Sequence, residues 1–154
     1  MTKKAFLWPV RVYYEETDAG GVVYHSCYLN FMERARTEWL RHLGFGQEQL
    51  HREQGLLFAV TRMEIRFLAP ARLDDMLTVS VSLQERRPAS LVLQQTIQRD
   101  RDQRRLIGAV VRIAALDSRF RPTRLPDVLL RTLPGGEVVP HPAQVGYYPD
   151  ILKG

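Results

Sequence analysis

The residues with the clearest potential for chemistry in this chain lie close together, between Asp18 and His25. Asp18 is followed by Ala19-Gly20-Gly21, and His25 opens a long run of helical periodicity. A carboxylate can act as a general base or as a nucleophile. The free backbone N–H groups at a helix start favour negative charge. This stretch therefore predicts a site that polarises a carbonyl group and activates a nucleophile.

Each side chain in this stretch also has an ordinary structural interpretation. Asp18 could cap its own turn by accepting hydrogen bonds from nearby N–H groups, and His25 alone could simply pack or cap. Beside Asp18, however, His25 is a reasonable hydrogen-bonding or acid–base partner. Tyr24 could contribute its backbone N–H, its ring, or neither. Cys27 lies in the first helical turn, where a thiol becomes more acidic, but packing is the favoured role for it.

The composition indicates one globular domain. The chain has 154 residues, of which 45% are hydrophobic and 25% charged. Its single cysteine forms no internal disulfide, and no apolar run approaches the roughly 20 residues of a membrane span, so we expect a cytoplasmic protein. The net charge of +5 suggests an anionic partner, but no block of basic residues favours nucleic acid. The histidines form no metal-binding motif, and the sequence contains neither a phosphate loop nor a GxGxxG motif, so no metal or other cofactor is predicted.

The hydrophobic periodicity predicts which elements position these residues. A first strand is predicted over Val10 to Tyr14, and a long helix begins at His25 or Ser26, with Ser26 as its N-cap. After Leu57 the pattern alternates as in strands. The later strands are predicted over Leu57 to Leu68, Met76 to Gln84, Ser90 to Arg99 and Leu106 to Leu116.

The connections between the later strands are too short to contain helices, which predicts an α+β fold. An antiparallel sheet of about five strands would then pack against one long central helix. One helix cannot cover both faces of such a sheet, so the second face is either polar or covered by a partner subunit. We expect a domain over residues 1–133, followed by a Pro- and Gly-rich tail over residues 134–154.

The run from Tyr14 to His25 reads YEETDAGGVVYH, and it is followed by FMERAR at Phe31 to Arg36 and FLAPARLDD at Phe67 to Asp75. With these motifs the chain resembles the 4-hydroxybenzoyl-CoA thioesterase family over roughly residues 10–130. Within that family it most resembles the acyl-CoA thioesterases associated with the Tol-Pal system of Gram-negative bacteria. The resemblance implies hydrolysis of acyl-CoA to a free acid and CoA, with no cofactor.

The resemblance also implies the hotdog fold, in which the sheet wraps around the long helix. Two subunits would join their sheets edge to edge, with active sites at the subunit interface, and dimers would pair into homotetramers. Asp18 would be the nucleophile or the general base, a choice that the family leaves open. The backbone N–H groups near Tyr24 and His25 would hold the thioester oxygen.

The resemblance places CoA near the hairpin that carries Arg86, Arg87 and Ser90, where arginines could grip its phosphates. The apolar faces of the long helix and of the strand from Val60 to Met63 could line the acyl tunnel, although core packing explains these residues equally well. Two alternatives remain at this point. The protein could bind acyl-CoA or acyl carrier protein in membrane lipid metabolism without hydrolysis, or it could be a related hotdog dehydratase acting on enoyl-CoA.

Overall fold

The structure is a computed structural model that describes residues 5–133, so the predicted tail over residues 134–154 lies outside the described residues. Between residues 5 and 133 the chain forms five strands and three helices. The strands are β1 Phe6–Arg11, β2 Leu57–Phe67, β3 Met76–Arg86, β4 Ser90–Arg99 and β5 Arg104–Leu116. The helices are α1 His25–His42, α2 Gln47–Gln54 and α3 Asp127–Thr132, and a short 3-10 turn covers Tyr14–Glu16.

The five strands form one sheet in the order β1-β3-β4-β5-β2, and every neighbouring pair is antiparallel. The predicted antiparallel sheet is therefore confirmed. β5, in which nearly every position from Leu106 onward is apolar, lies inside the sheet between β4 and β2. The two edges of the sheet are β1 and β2.

Strand β3 shows why one face of the sheet is apolar and the other polar. Leu77, Val79, Val81 and Leu83 are buried towards the core, as their alternating spacing predicts. The intervening side chains and those at the equivalent positions of β4 form the opposite face, which is polar: Thr78, Ser80, Ser82, Gln94, Thr96 and Gln98. A polar second face is one of the two outcomes expected for a sheet with a single long helix, the other being cover by a partner subunit.

Helix α1 packs its apolar stripe against the inner face of the sheet, mainly over β1 and β3. Its buried residues recur at helical spacing and include Tyr28, Phe31, Met32, Ala35 and Trp39. Burying each large side chain of this kind contributes about 1.5–3 kcal/mol. Among residues 5–133, no helix is long and apolar enough to cross a lipid bilayer.

The N-cap of α1 is Tyr24, and the expectation that Ser26 would cap the helix is wrong. Thr17 and Val23 form a β-bridge, and the N–H of Tyr24 donates to the carbonyl oxygen of Glu16 over 2.9 Å. These contacts keep the backbone extended up to Tyr24, whose φ and ψ are −64° and 137°. The first helical residue is therefore His25, and Ser26 lies inside the first turn.

Strand β1 begins and ends earlier than the predicted Val10 to Tyr14. It spans Phe6–Arg11 and includes Pro9, which an edge strand tolerates because one side of its backbone needs no ladder hydrogen bonds. The chain then enters the 3-10 turn, in which the N–H groups of Glu16 and Thr17 donate to the carbonyl oxygens of Tyr13 and Tyr14. Glu16 Oε1 also accepts the N–H of Tyr13 over 2.7 Å.

Candidate active site

The segment Thr17–Val23, which we call the site loop, is a tight turn between the 3-10 turn and α1. The N–H of Asp18 donates to the carbonyl oxygen of Val22 over 2.9 Å, and the N–H of Gly21 donates to that of Asp18 over 3.0 Å. Gly21 has a φ of +79°, a left-handed conformation that favours glycine. The loop thus returns the chain on itself directly before the helix begins.

Asp18 is exposed, and its carboxylate is oriented by its own loop. Oδ1 accepts the N–H of Gly20 over 2.8 Å, with a longer contact of 3.5 Å from the N–H of Val22. A Cβ atom at Gly20 would lie only 3.2 Å from Oδ1, so a glycine allows this approach. Among residues 5–133, Oδ2 has no hydrogen-bond donor. Asp18 therefore adopts the turn-capping role and still has one carboxylate oxygen available.

The start of α1 has unpaired N–H groups beside this loop, but not at every predicted position. The N–H of Tyr24 is occupied by Glu16, and the N–H of Cys27 donates to the carbonyl oxygen of Tyr24. The N–H groups of His25 and Ser26 have no acceptor in the part of the chain that the structure describes. The available donors are therefore those of His25 and Ser26, as expected in a first helical turn.

The side chains of Tyr24 and His25 lie together at the surface. Their ring centroids are 4.3 Å apart with the planes tilted by 41°, and both residues are exposed. Within the described range, His25 and Asp18 form no hydrogen bond to each other. The predicted interaction of these two side chains is therefore absent in the single chain, although the backbone of His25 is at the site.

Glu16 is a residue of this site that was not predicted from the sequence. Its side chain is only 9% exposed, and Oε2 lies 3.7 Å from Nη1 of Arg34 on α1. Together with its hydrogen bonds from Tyr13 and Tyr24, this contact ties the turn before the site loop to the helix. The available signal was the spacing of Glu16 three residues after Tyr13, which is that of a capping box.

A mostly apolar pocket of about 360 Å³ opens beside the start of α1. It is lined by Val23, His25, Tyr28, Phe67, Leu68, Ala69 and Pro70. The rings of Tyr28 and Phe67 meet edge to face, with centroids 5.9 Å apart. The Tyr28 hydroxyl accepts the N–H of Ala71 over 2.9 Å, so its polar end is satisfied. This wall was not predicted from the sequence, although FLAP belongs to a run that carried the family resemblance.

A second pocket, of about 350 Å³, has a different chemistry, and we call it the arginine pocket. It is lined by Arg86, Arg87, Pro88, Arg124, Asp127, Leu130 and Arg131. Arg86 is held in place because its Nη1 donates to the carbonyl oxygen of Leu130 over 2.5 Å. Arg124 lies 3.6 Å from Asp127, the acidic residue of the lining. Four guanidinium groups around one concavity favour an anion such as phosphate.

The two pockets lie at opposite ends of the sheet. Phe67 pairs with Ile107, Ile107 pairs with Ile97, and Ile97 pairs with Val79 near the beginning of β3. Arg86 is the last residue of β3, about 20 Å further along the strand. Within one chain, the predicted CoA-binding arginines are therefore remote from the apolar pocket.

The remaining predicted binding residues line neither pocket. Ser90 is buried at the first position of β4. Val60 is 45% exposed on the edge strand β2, and Met63 on the same strand packs against the core. The structure therefore places Val60 and Met63 at a sheet edge rather than around a tunnel of the single chain.

Two other kinds of reactive group are a cysteine thiolate and a bound metal ion. Burial and the nearby carboxylate of Glu16 raise the pKa of Cys27, which disfavours the thiolate that a nucleophile needs. This agrees with packing as its favoured role. Among residues 5–133, no three His, Cys, Asp or Glu side chains are grouped so that they could hold a metal ion.

Curated proteins similar to this chain include acyl-CoA thioesterases. An acyl-CoA thioester hydrolase of Escherichia coli, YbgC, is 54% identical over 97 residues, which cover 63% of this chain and 72% of the relative. The acyl-CoA thioesterase YbgC of Haemophilus influenzae is 44% identical over 127 residues, which cover 82% of this chain and 92% of the relative.

Solved structures share the fold. A probable thioesterase from Bartonella henselae superimposes with a TM-score of 0.75 at 37% identity, covering 80% of this chain and all of that one. A 4-hydroxybenzoyl-CoA thioesterase variant bound to 4-hydroxybenzoyl-CoA gives a TM-score of 0.79 at 17% identity, covering 84% of this chain and 99% of that one. Residues 12–133 match the thioesterase-like superfamily. The predicted hotdog fold and thioesterase class are confirmed, and the chain belongs to the thioesterase-like superfamily.

Proposed function

We propose that this protein hydrolyses acyl-CoA thioesters to a free acid and CoA, using the site loop and the start of α1. The observation that carries the proposal is an oriented carboxylate on the loop leading into a helix start with unpaired N–H groups, beside an apolar pocket. The activity named for the curated relatives supports it. The apolar pocket would hold the acyl group, and the helix start would hold the thioester oxygen.

Attack on a thioester places negative charge on the carbonyl oxygen. The N–H groups of His25 and Ser26 would stabilise this charge, and one such donor contributes about 3 kcal/mol. Asp18 would act in one of two ways. It would attack the carbonyl carbon to form a mixed anhydride that water then cleaves, or it would deprotonate the attacking water. In either case the C–S bond breaks, water supplies the new hydroxyl of the acid, and the remaining proton ends on the thiolate of CoA.

The arginine pocket would bind the phosphates of CoA. Arg86 and Arg87 were predicted for this role, and the structure brings Arg124 and Arg131 beside them. The distance between the arginine pocket and the apolar pocket is explained if each active site uses the arginine pocket of the partner subunit. This requires a dimer in which the arginine pocket of one subunit, at its β3–β4 hairpin, lies beside the apolar pocket of the other.

Pairing of two sheets through β2 produces that arrangement. β2 is the longer edge strand, and its outer side pairs with no strand of the described chain, whereas β1 carries Pro9, which cannot donate a ladder hydrogen bond. A two-fold axis between antiparallel edges reverses the strand direction. The Leu57 end of the partner's β2 then lies beside Phe67 of this chain, and the partner's arginine pocket moves to the same end.

Mixed dimers test which subunit supplies the arginines. One chain would carry Asp18→Asn and the other Arg87→Met with Arg124→Met, and each homodimer should be impaired at low substrate concentration. If the arginines act across the interface, a random mixture should recover about one quarter of wild-type activity, since half the dimers are mixed and each has one intact site. Mixtures of separately folded dimers that cannot exchange subunits are the control. No recovery after verified exchange would contradict the arrangement.

The activity itself is tested with the purified full chain and a panel of acyl-CoAs of increasing length, together with aromatic ones such as 4-hydroxybenzoyl-CoA. We expect stoichiometric release of CoA, detected with a thiol reagent, and a clear preference for one acyl class, because the apolar pocket has a limited volume. Tight binding without release would instead favour the non-hydrolytic alternative. Hydration of crotonyl-CoA would favour the dehydratase.

The physiological setting is a further part of the proposal. We place the enzyme in the cytoplasm as a homotetramer built from two edge-paired dimers, acting on acyl groups carried by CoA. Acyl carrier protein is the alternative carrier, and a matched pair of acyl-CoA and acyl-carrier-protein substrates with the same chain would separate the two. Association with the Tol-Pal system stays a prediction of the family resemblance.

A further inference from the structure

Arg99, the last residue of β4, is a buried arginine outside the groups assigned to the reaction. Its side chain is 9% exposed. Nε and Nη2 donate to the two carboxylate oxygens of Asp102 over 2.9 and 2.7 Å, in the two-pronged geometry typical of a strong arginine–carboxylate pair. Its remaining nitrogen, Nη1, donates to the carbonyl oxygen of Pro70 over 3.1 Å. The hairpin between β4 and β5 is thereby connected to the segment that follows β2.

That segment, Leu68 to Ala71, contributes Leu68, Ala69 and Pro70 to the wall of the apolar pocket. Within residues 5–133, its hydrogen bonds connect it to other parts of the chain. The N–H of Leu68 donates to the carbonyl oxygen of Leu106 over 2.8 Å. The N–H of Ala71 donates to the Tyr28 hydroxyl, and the carbonyl oxygen of Ala71 accepts the N–H of Val23, each over 2.9 Å. Arg99 supplies the contact at Pro70, between these two anchors.

We propose that Arg99 is a positioning residue that sets the shape of the apolar pocket and thereby the acyl group that the enzyme prefers. This inference rests on the proposed function, because the pocket must receive the acyl group. Arg99 acts through Pro70, which lines the pocket, and Ala71, which holds Val23 at the entrance to α1. Loss of the contact at Pro70 would let the wall move while the rest of the sheet is unchanged.

The ion pair that orients Arg99 persists under ordinary assay conditions. The hydrogen bond from Arg99 lowers the pKa of Asp102 to about 2, so this carboxylate is ionised near neutral pH. Asp102 Oδ1 also accepts the N–H of Arg104 over 3.3 Å, which adds to its fixed position. The guanidinium is therefore held on one side by Asp102 and presented on the other to Pro70.

The test compares kcat/KM for a long acyl-CoA, such as decanoyl-CoA, with that for acetyl-CoA in Arg99→Met. We expect the ratio to change about tenfold, because small displacements of groups around a substrate have large kinetic effects. Arg99→Lys keeps the charge and one contact, so its ratio should lie between that of Arg99→Met and that of the wild type. Arg104→Met is the matched control, because Arg104 is exposed on the same hairpin, and its ratio should equal that of the wild type.

A purely structural role for Arg99 predicts a different result, because a smaller folded fraction lowers kcat/KM by the same factor for every substrate. An unchanged ratio in Arg99→Met would therefore overturn the inference even if total activity fell. If that variant does not fold, Asp102→Asn makes the same test by loosening the orientation of Arg99. A wild-type chain that cleaves no acyl-CoA would overturn the proposed function, a failure distinct from an active enzyme with an unchanged ratio.

Discussion

Replacing Asp18 with asparagine is expected to lower kcat for acyl-CoA hydrolysis by about 10³-fold or more. Asparagine can neither attack a thioester as a carboxylate does nor accept a proton from water, so both mechanisms open to Asp18 are lost. Its side-chain oxygen can still accept the N–H of Gly20, which orients Asp18 in the site loop. The fold should therefore remain intact. Steady-state kinetics with the preferred acyl-CoA measures the loss of kcat, and a thermal melt shows whether the fold is intact.

The control for this variant is Glu15→Gln, which removes an exposed carboxylate from the turn before the site loop. Its kcat should stay within about twofold of the wild type, since exposed charges of this kind contribute little. Near-normal turnover in Asp18→Asn would remove Asp18 from the mechanism. Equal losses in the two variants would indicate a general effect of negative charge near the loop rather than a specific reaction of Asp18.

Replacing His25 with proline is expected to lower kcat about 10²-fold or more relative to His25→Ala, because it removes a backbone donor to the oxyanion. His25 is the first residue of α1, a position where proline is well tolerated because the missing N–H has no helical partner. Tyr24 has the extended conformation, with φ of −64° and ψ of 137°, that a residue before proline prefers. The substitution therefore tests the N–H with little disturbance of the helix.

The comparison with His25→Ala separates the backbone of His25 from its side chain. The alanine variant keeps the N–H and loses only the imidazole, which contributes positioning rather than most of the rate. Circular dichroism should show the same helix content in both variants. Equal kcat values for His25→Ala and His25→Pro would mean that this N–H does not contact the transition state, and the N–H of Ser26 would then be the remaining donor at the helix start.

The local elements of this protein were determined by its sequence. The alternation along β3 predicted the buried set from Leu77 to Leu83, and the strand over Ser90 to Arg99 has the bounds that its pattern indicated. The apolar stripe of α1 was likewise visible at helical spacing. These features follow from short-range periodicity, because side chains two residues apart on a strand or three to four apart on a helix share a face. The motif from Tyr14 to His25 carried the family resemblance and named Asp18 as the candidate reactive residue.

The arrangement of the site was decided by tertiary structure. The start of α1 at His25 depends on a hydrogen bond from Tyr24 back to Glu16, and the wall at Pro70 depends on Arg99. The register of the sheet places the arginine pocket at the end opposite the apolar pocket. Each of these features joins groups that do not share a periodic pattern along the chain. Residue types and spacing therefore predicted which groups could react, whereas long-range hydrogen bonds and strand pairing decided which of them meet.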